Sequence, residues 1–319
     1  MNVRSAALCC AFSCGRALEL SSRLLARVRR VDAGGEAYAA ARHFVVGGEV
    51  LGRVLPQAAE ALGGTGLFDV SDEAVALPDE PGAADAVAAR TARLAAAFGA
   101  LREAGAVPML AGWRDEPFAI RPSFHAAPRA VVERAAAPLL GARAYGVFCV
   151  GYVVDAASGR PAAVWLGRRS PAKPTWPGLL DVLAAGGLRA GALPRAAMEA
   201  ECAEEAGLSA ALLAELRPAG AVSYTGLSQD GWGAKPDTLY VFDLPLPDDW
   251  TPTPVDGEVE SFERIAVADL LDRLARDDDA WKPNVGTVLV DFVLRHGFVD
   301  PDEADYLELV DALRAGSCR

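Results

Sequence analysis

Within this 319-residue chain, the stretch EAECAEEAGL, residues Glu199 to Leu208, constrains the fold more than any other. The preceding LPRAAM places Pro194 where a helix needs no backbone donor, and Gly207 is suited to the left-handed residue that closes one. A helix over Pro194–Ala206 puts Glu201, Glu204 and Glu205 at i, i+3 and i+4, on one face. Like charges at those spacings cost about 0.2–0.5 kcal/mol per pair. Acids in a last turn also oppose the helix dipole, by about 0.3–1 kcal/mol each when exposed. Either a divalent cation gathers the three carboxylates or they form a solvated acidic face. Spacing alone leaves both open.

The rest of the composition narrows the class. A net charge of −12 argues against a broad nucleic-acid-binding surface, though not against a local basic pocket. No apolar run is long and clean enough to span a membrane. The six cysteines show no zinc or disulfide spacing, and Cys149 and Cys202 lie in apolar patterns expected of reduced core residues. His43, His125 and His296 are scattered and read as structural.

Residues 1–18 contain arginine but no acid, and SSRLLARVRR continues the basic character. Residues 1–18 are expected to be a leader or a disordered N-terminus, and the stretch after them a basic opening helix of a cytoplasmic protein, with a plastid or mitochondrial transit peptide as the alternative. A small α+β domain is expected over residues 19–140. In it, HFVVGGEVLGRVLP gives two strands joined at Gly47–Gly48, QAAEAL a helix, LFDVSDEAVALP a strand-like piece, and GAADAVAARTARLAAAFGALREAG the clearest helix. GGTG at Gly63–Gly66 lacks phosphate-loop spacing and reads as a turn. No catalytic constellation is visible in this half. Over residues 141–319, strand, strand, loop, acidic helix, strands and helices predict an α/β fold with a mixed sheet covered by helices.

GGLRAGALPRAAMEAECAEEAGL resembles the Nudix box, Gx5Ex7REUxEExGU, of pyrophosphate-cleaving hydrolases. Gly186 takes its first glycine, Glu201, Glu204 and Glu205 its metal-binding glutamates, and Gly207–Leu208 its closing pair. Ala192 and Ala200 depart, standing where the pattern has glutamate and arginine. KPTWPGLLDVLAAGGL, DGEVESF, WKPN and DFVLRHGF are similar to the thiamine-pyrophosphokinase-related Nudix hydrolases of fungi and plants, which carry an extra N-terminal domain. The resemblance implies a C-terminal Nudix α/β/α sandwich behind a small α+β domain. It also implies hydrolysis of thiamine diphosphate or damaged forms such as oxothiamine diphosphate to the monophosphate plus phosphate. ADP-ribose-type substrates, or a non-catalytic binding module, are the alternatives.

The chemistry fits independently. Oxygen ligands at Glu201, Glu204 and Glu205 suit Mg2+, or Mn2+, which neutralises a diphosphate and acidifies a bound water. Glu258 and Glu260, sharing one side of a strand, are candidates for a further carboxylate or base. Only three of the 31 basic residues are lysines, Lys173, Lys235 and Lys282, each followed by proline. With Arg168 and Arg169 they are candidates to hold phosphate oxygens. Trp176, Tyr224 and Trp232 are candidates to stack on a heteroaromatic ring. The expected partner is a small-molecule diphosphate.

Overall fold

The computed structural model describes residues 20–276 and 280–316; the leader expected for residues 1–18 lies outside them. Helix α1 spans residues 20–31, and α2 (Gly35–Ala40) follows. Strands β1 (Arg42–Val46) and β2 (Glu49–Val54) form the expected hairpin. Its turn residues Gly47 and Gly48 have φ of 57° and 79°, the two positive values a type I′ turn requires. Helix α3 (Pro56–Gly64) is followed by β3 (Asp69–Val70) and β4 (Ala74–Leu77). The segment expected as one strand-like piece is thus two. Ser71 Oγ accepts from the Glu73 and Ala74 amides and turns the chain between them. The sheet order is β2-β1-β4-β3.

Helix α4 (Ala86–Glu103) is the alanine-rich helix, capped by Asp85, whose carboxylate accepts from Val87 and Ala88 N–H. It buries Leu94, Ala97, Phe98 and Leu101 against the small sheet. Two 3-10 segments, Pro108–Gly112 and Arg134–Leu140, flank the hairpin β5 (Pro117–Ile120) and β6 (Ala130–Glu133). Gly141 (φ 51°) ends this half. A Cβ there would lie 2.0 Å from Arg53 O, so only glycine lets the chain cross the β1–β2 hairpin so closely.

The larger sheet contains β7 (Ala144–Val154), β8 (Pro161–Arg169), β9 (Leu180–Asp181) and β10 (Ala184–Gly187). Helices α5 (Pro194–Ala206) and α6 (Ala210–Leu213) precede β11 (Arg217–Leu227), β12 (Ala234–Leu246) and β13 (Val259–Ala266). Helices α7 (Val267–Ala275), α8 (Pro283–Arg295) and α9 (Tyr306–Ala312) follow among the described residues. The order is β11-β12-β7-β8-β13, with β10 on β7 and β9 on β8. Strands β12 and β7 are parallel while the other pairs in this sheet are antiparallel, so the sheet is mixed as expected.

Alternation along β7 divides its sides. Val147 and Cys149 join Met198 and Cys202 of α5 in one cluster, while Phe148 and Val150 join Val285, Val288 and Phe292 of α8 in another. Helix α1 belongs to that second cluster through Leu24, Leu25 and Val28. The sequence division at residue 140 assigned it to the N-terminal domain. Its apolar face instead completes the C-terminal core, because α8 and α9 offer a surface that the sheet leaves uncovered.

Candidate functional site

Helix α5 has the bounds expected from its sequence, with Pro194 in the first turn and Gly207 left-handed at φ 68°. The three glutamates are not equivalent on it. Glu205 continues the stripe of Met198 and Cys202 and is buried, Glu201 is half-buried, and Glu204 is exposed. Glu205 Oε2 accepts the Ala185 N–H of β10 at 2.9 Å. Glu201 lies against Gly186, where a Cβ would sit 1.9 Å from its Oε1. A side chain at the first glycine would therefore occupy the space of a carboxylate.

Burial is the main cause that pushes the Glu201 carboxyl up to about 7, with Glu204 and Glu258 adding repulsion and Arg134 and Arg189 opposing it. Glu205 is pushed up to about 8, again chiefly by burial and then by Asp181, against the Ala185 hydrogen bond. Buried acids facing like charges are what a divalent cation stabilises. The oxygen donors of Glu201, Glu204 and Glu205 fit magnesium or manganese. Among the described residues, no three His, Cys, Asp or Glu side chains are already drawn together as a closed ligand set. One Glu205 oxygen is engaged by Ala185, and Glu204 remains in solvent.

Glu201 and Glu204 line a cavity of about 670 Å³. Its floor is one side of three strands: Lys235, Asp237 and Leu239 of β12, Ala144, Gly146 and Phe148 of β7, and Ala185 and Gly187 of β10. Its roof comes from the N-terminal half, including Met109, Arg114, Arg134 and Pro138. That half had no expected part in a site. Its arginines carry no sequence signal, in a chain where arginine is the common cation.

The cations divide into two groups. Arg169 and Lys282 both reach Asp181 Oδ2, at 3.0 and 2.9 Å, while Val182 N–H donates to Asp181 Oδ1. Burial raises the Asp181 carboxyl, but Lys282 and Arg169 outweigh it and hold the group below its usual value. Burial lowers the Lys282 ammonium, with Asp181 in part opposing. Lys282 also sits 4.9 Å from the Phe148 ring centroid. Asp181 was not among the sequence candidates, and it is what fixes two of them.

The second group lies in loops. Lys173 pairs with Glu258, and both line the cavity beside Asp256. Burial raises the Glu258 carboxyl, yet Lys173 and Arg114 bring it below its usual value. Trp176, at φ 53°, lines the cavity and offers its carbonyl to Arg169 Nε.

Four candidates sit elsewhere. Arg168 alternates with Arg169 along β8, and its side chain donates to Gly178 O away from the lining. Glu260 is exposed and outside the lining, because the register of β13 breaks between Val259 and Ser261, so it does not share Glu258's surroundings. The Tyr224 ring is packed in the core of the larger sheet, and only its hydroxyl reaches toward the site, donating to Asp237 Oδ2 at 2.8 Å. Trp232 packs against the N-terminal core. Ala192 borders the α5 core and Ala200 is exposed. Near them Arg195 pairs with Glu199 at 3.0 Å and caps Leu216 O at 2.8 Å, so α5 is anchored without the two charged residues of the pattern.

Comparison with known proteins agrees with this arrangement. Residues 147–285 match the NUDIX domain, and residues 23–144 match a domain of unknown function, DUF4743. The chain is 40% identical over 229 residues to Nudix hydrolase 20, chloroplastic, of Arabidopsis thaliana, covering 72% of this chain and 59% of that protein. It is 38% identical over 229 residues to Nudix hydrolase 24, chloroplastic, of the same plant, covering 72% and 60%. The chain thus spans under two thirds of those relatives' length. A crystal structure of a C. elegans Ap4A hydrolase binary complex is 15% identical with a TM-score of 0.35, covering 49% of this chain and 98% of that one. With the glutamate helix seated on its mixed sheet, the chain carries a NUDIX domain behind a DUF4743 domain.

Proposed function

We propose that the protein is a divalent-metal-dependent pyrophosphohydrolase acting on thiamine diphosphate-like compounds, including damaged forms such as oxothiamine diphosphate, to release the monophosphate and phosphate. The observation that carries this reading is the cavity in which Glu201 and Glu204 face Arg169, Lys173 and Lys282. Acids able to hold a cation and bases able to hold a diphosphate line one cavity.

Glu201, Glu204 and Glu205 would hold the metal, which when bound supplies charge neutralisation and a more acidic water. Arg169 and Lys282, fixed by Asp181, orient phosphate oxygens with little rotamer entropy left to lose. Lys173 adds a third cation from its loop, and Glu258, kept ionised beside it, would accept the proton of the attacking water. The roof of the N-terminal half, with Met109 and Pro138, encloses the organic part and excludes water. The names of the two plant relatives favour a plastid location over the cytoplasmic one read from sequence.

The test is product formation, followed by chromatography with magnesium present, from oxothiamine diphosphate, thiamine diphosphate and ADP-ribose. The expected order of kcat/KM is the order named. ADP-ribose coming first would overturn the thiamine reading and leave the hydrolase reading standing; turnover of none would overturn both.

A further inference from the structure

Among the described residues, one cation on the cavity wall has no carboxylate partner. Arg114, in the loop between the first 3-10 segment and β5, lines the cavity from the N-terminal half. Every other lysine and arginine of the lining is paired: Arg134 and Arg189 with Glu116 at 2.8 and 3.9 Å, Lys235 with Asp237 at 3.5 Å, and the other three as described above. The Arg114 guanidinium makes neither an ion pair nor a hydrogen bond among the described residues. Burial is the main cause that brings it below its usual value; Arg134 adds repulsion, Glu116 and Glu258 oppose it, and Arg169 repels it again. Glu258 and Arg169 belong to the C-terminal half, so the guanidinium is felt across the cavity by groups assigned to the diphosphate and the attacking water.

The loop that carries Arg114 is fixed on both sides of it. Glu133 Oε1 accepts the Arg114 N–H and Oε2 the Glu116 N–H, each at 3.0 Å, and Glu116 O accepts the Arg134 N–H at 2.9 Å. Between them Asp115 is held at φ 59°, in the left-handed region, while its carboxylate accepts from Trp113 Nε1 at 2.8 Å. A non-glycine residue keeps that conformation only where its surroundings over-determine it, and such residues gather at functional sites. Trp176, on the wall of the same cavity, is the other one among the described residues. None of these bonds uses the Arg114 side chain. The fold fixes its backbone and leaves its head group to a ligand.

We propose that Arg114 binds a phosphate oxygen of the diphosphate substrate directly, so that the DUF4743 half supplies a residue to the active site of the NUDIX half. This rests on the reading that a diphosphate occupies the cavity. A guanidinium meets a phosphate with a planar fork of N–H donors. The paired cations share their donors with a protein carboxylate, whereas all of those of Arg114 are available. An anion beside Arg114 also relieves its repulsion by Arg134 and Arg169.

Titration calorimetry of the full chain with magnesium and methylenediphosphonate, a diphosphate mimic that cannot be hydrolysed, tests the contact without turnover. Arg114→Ala should bind the mimic at least about tenfold more weakly than wild type. Arg114→Lys, which keeps the charge and loses the fork, should fall between the two. The urea midpoint of Arg114→Ala should be unchanged or higher, because the side chain holds no bond in the fold and its partial burial is relieved. Affinity within about twofold of wild type in Arg114→Ala, no binding of the mimic by wild type, or weaker binding together with a lowered urea midpoint would overturn the proposal. Loss of binding in Arg114→Ala, in a protein that cleaves none of the three candidate substrates, would keep the contact and sink the hydrolase reading. Unchanged kcat/KM in Arg114→Ala, in a protein that does cleave one of them, would sink the contact and keep the hydrolase reading.

Discussion

Replacing Glu205 by glutamine separates what this residue costs the fold from what it gives the site. In the metal-free protein its carboxyl is pushed up to about 8 from an ordinary value of 4.5, mainly by burial. Unfolded chains lose that proton near 4.5, whereas the folded protein keeps it until about 8. Across that window the folded state binds more protons, so its stability falls as pH rises. At about 1.4 kcal/mol for each pH unit of the window, and allowing for relaxation around a buried acid, the loss is on the order of 4 kcal/mol. Glu205→Gln retains an oxygen for the Ala185 N–H and cannot ionise. Urea unfolding in a chelator, near the two ends of the window, should show the wild type losing most of that amount and the variant distinctly less. Its remaining slope reflects Glu201. Magnesium near the upper end should restore wild-type stability by mass action and leave the variant almost unmoved. The same variant should lose at least about a hundredfold in kcat. Parallel pH profiles for the two proteins would refute the reasoning, because they would mean that Glu205 carries no desolvation cost.

Lys282→Met leaves Asp181 with Arg169 alone, and should destabilise by about 2–4 kcal/mol in urea unfolding, toward the lower range for breaking a buried pair because one cation survives. Gly186→Ala places a methyl 1.9 Å from Glu201 Oε1, the far end of a side chain that can swing away. Stability should fall by only about 1 kcal/mol, while the magnesium concentration for half-maximal activity rises at least about tenfold. Ala200→Arg restores a charged residue of the Nudix pattern at an exposed position. Stability should change by less than about 0.5 kcal/mol, with kcat/KM within about threefold of wild type; a large gain would show that the present site is defective.

The glutamate helix was legible because its signals are local. A proline, a glycine and a charge spacing fix its bounds and its acidic face. The strands of the larger sheet were legible for the same reason, through runs such as AYGVFCVGYVVD. What the sequence hid is what pairing decides. Asp181 is an unremarkable acid until β9 brings it under Arg169 and Lys282. Glu258 and Glu260 look equivalent by alternation, and only the irregular register of β13 separates them. Arg114 and Arg134 enter the cavity because the N-terminal half folds over the sheet, a contact with no local pattern to announce it. The Tyr224 ring, read as one to stack on, is packed in the core, and its hydroxyl links Asp237 and Asn284 from two other elements.

Helix α1 sets an order of events for the folding chain. Its partners Leu289, Phe292 and Leu309 lie more than 250 residues further along, so the first described helix cannot be buried until nearly the whole chain has been made. The small sheet and α4, whose contacts are local, can form well before then. Helix α1 must wait with Leu24, Leu25 and Val28 uncovered, then close over α8 and α9 as a late, long-range step. The first and last described helices are thereby latched together. Glu303 accepts from Ser21 N–H at 2.7 Å, and after α9 Leu313 O accepts from, and Gly316 N–H donates to, the backbone of Ser223 on β11. A NUDIX domain cut out at residue 141 would expose the apolar seat of that latch, whatever the state of its glutamates.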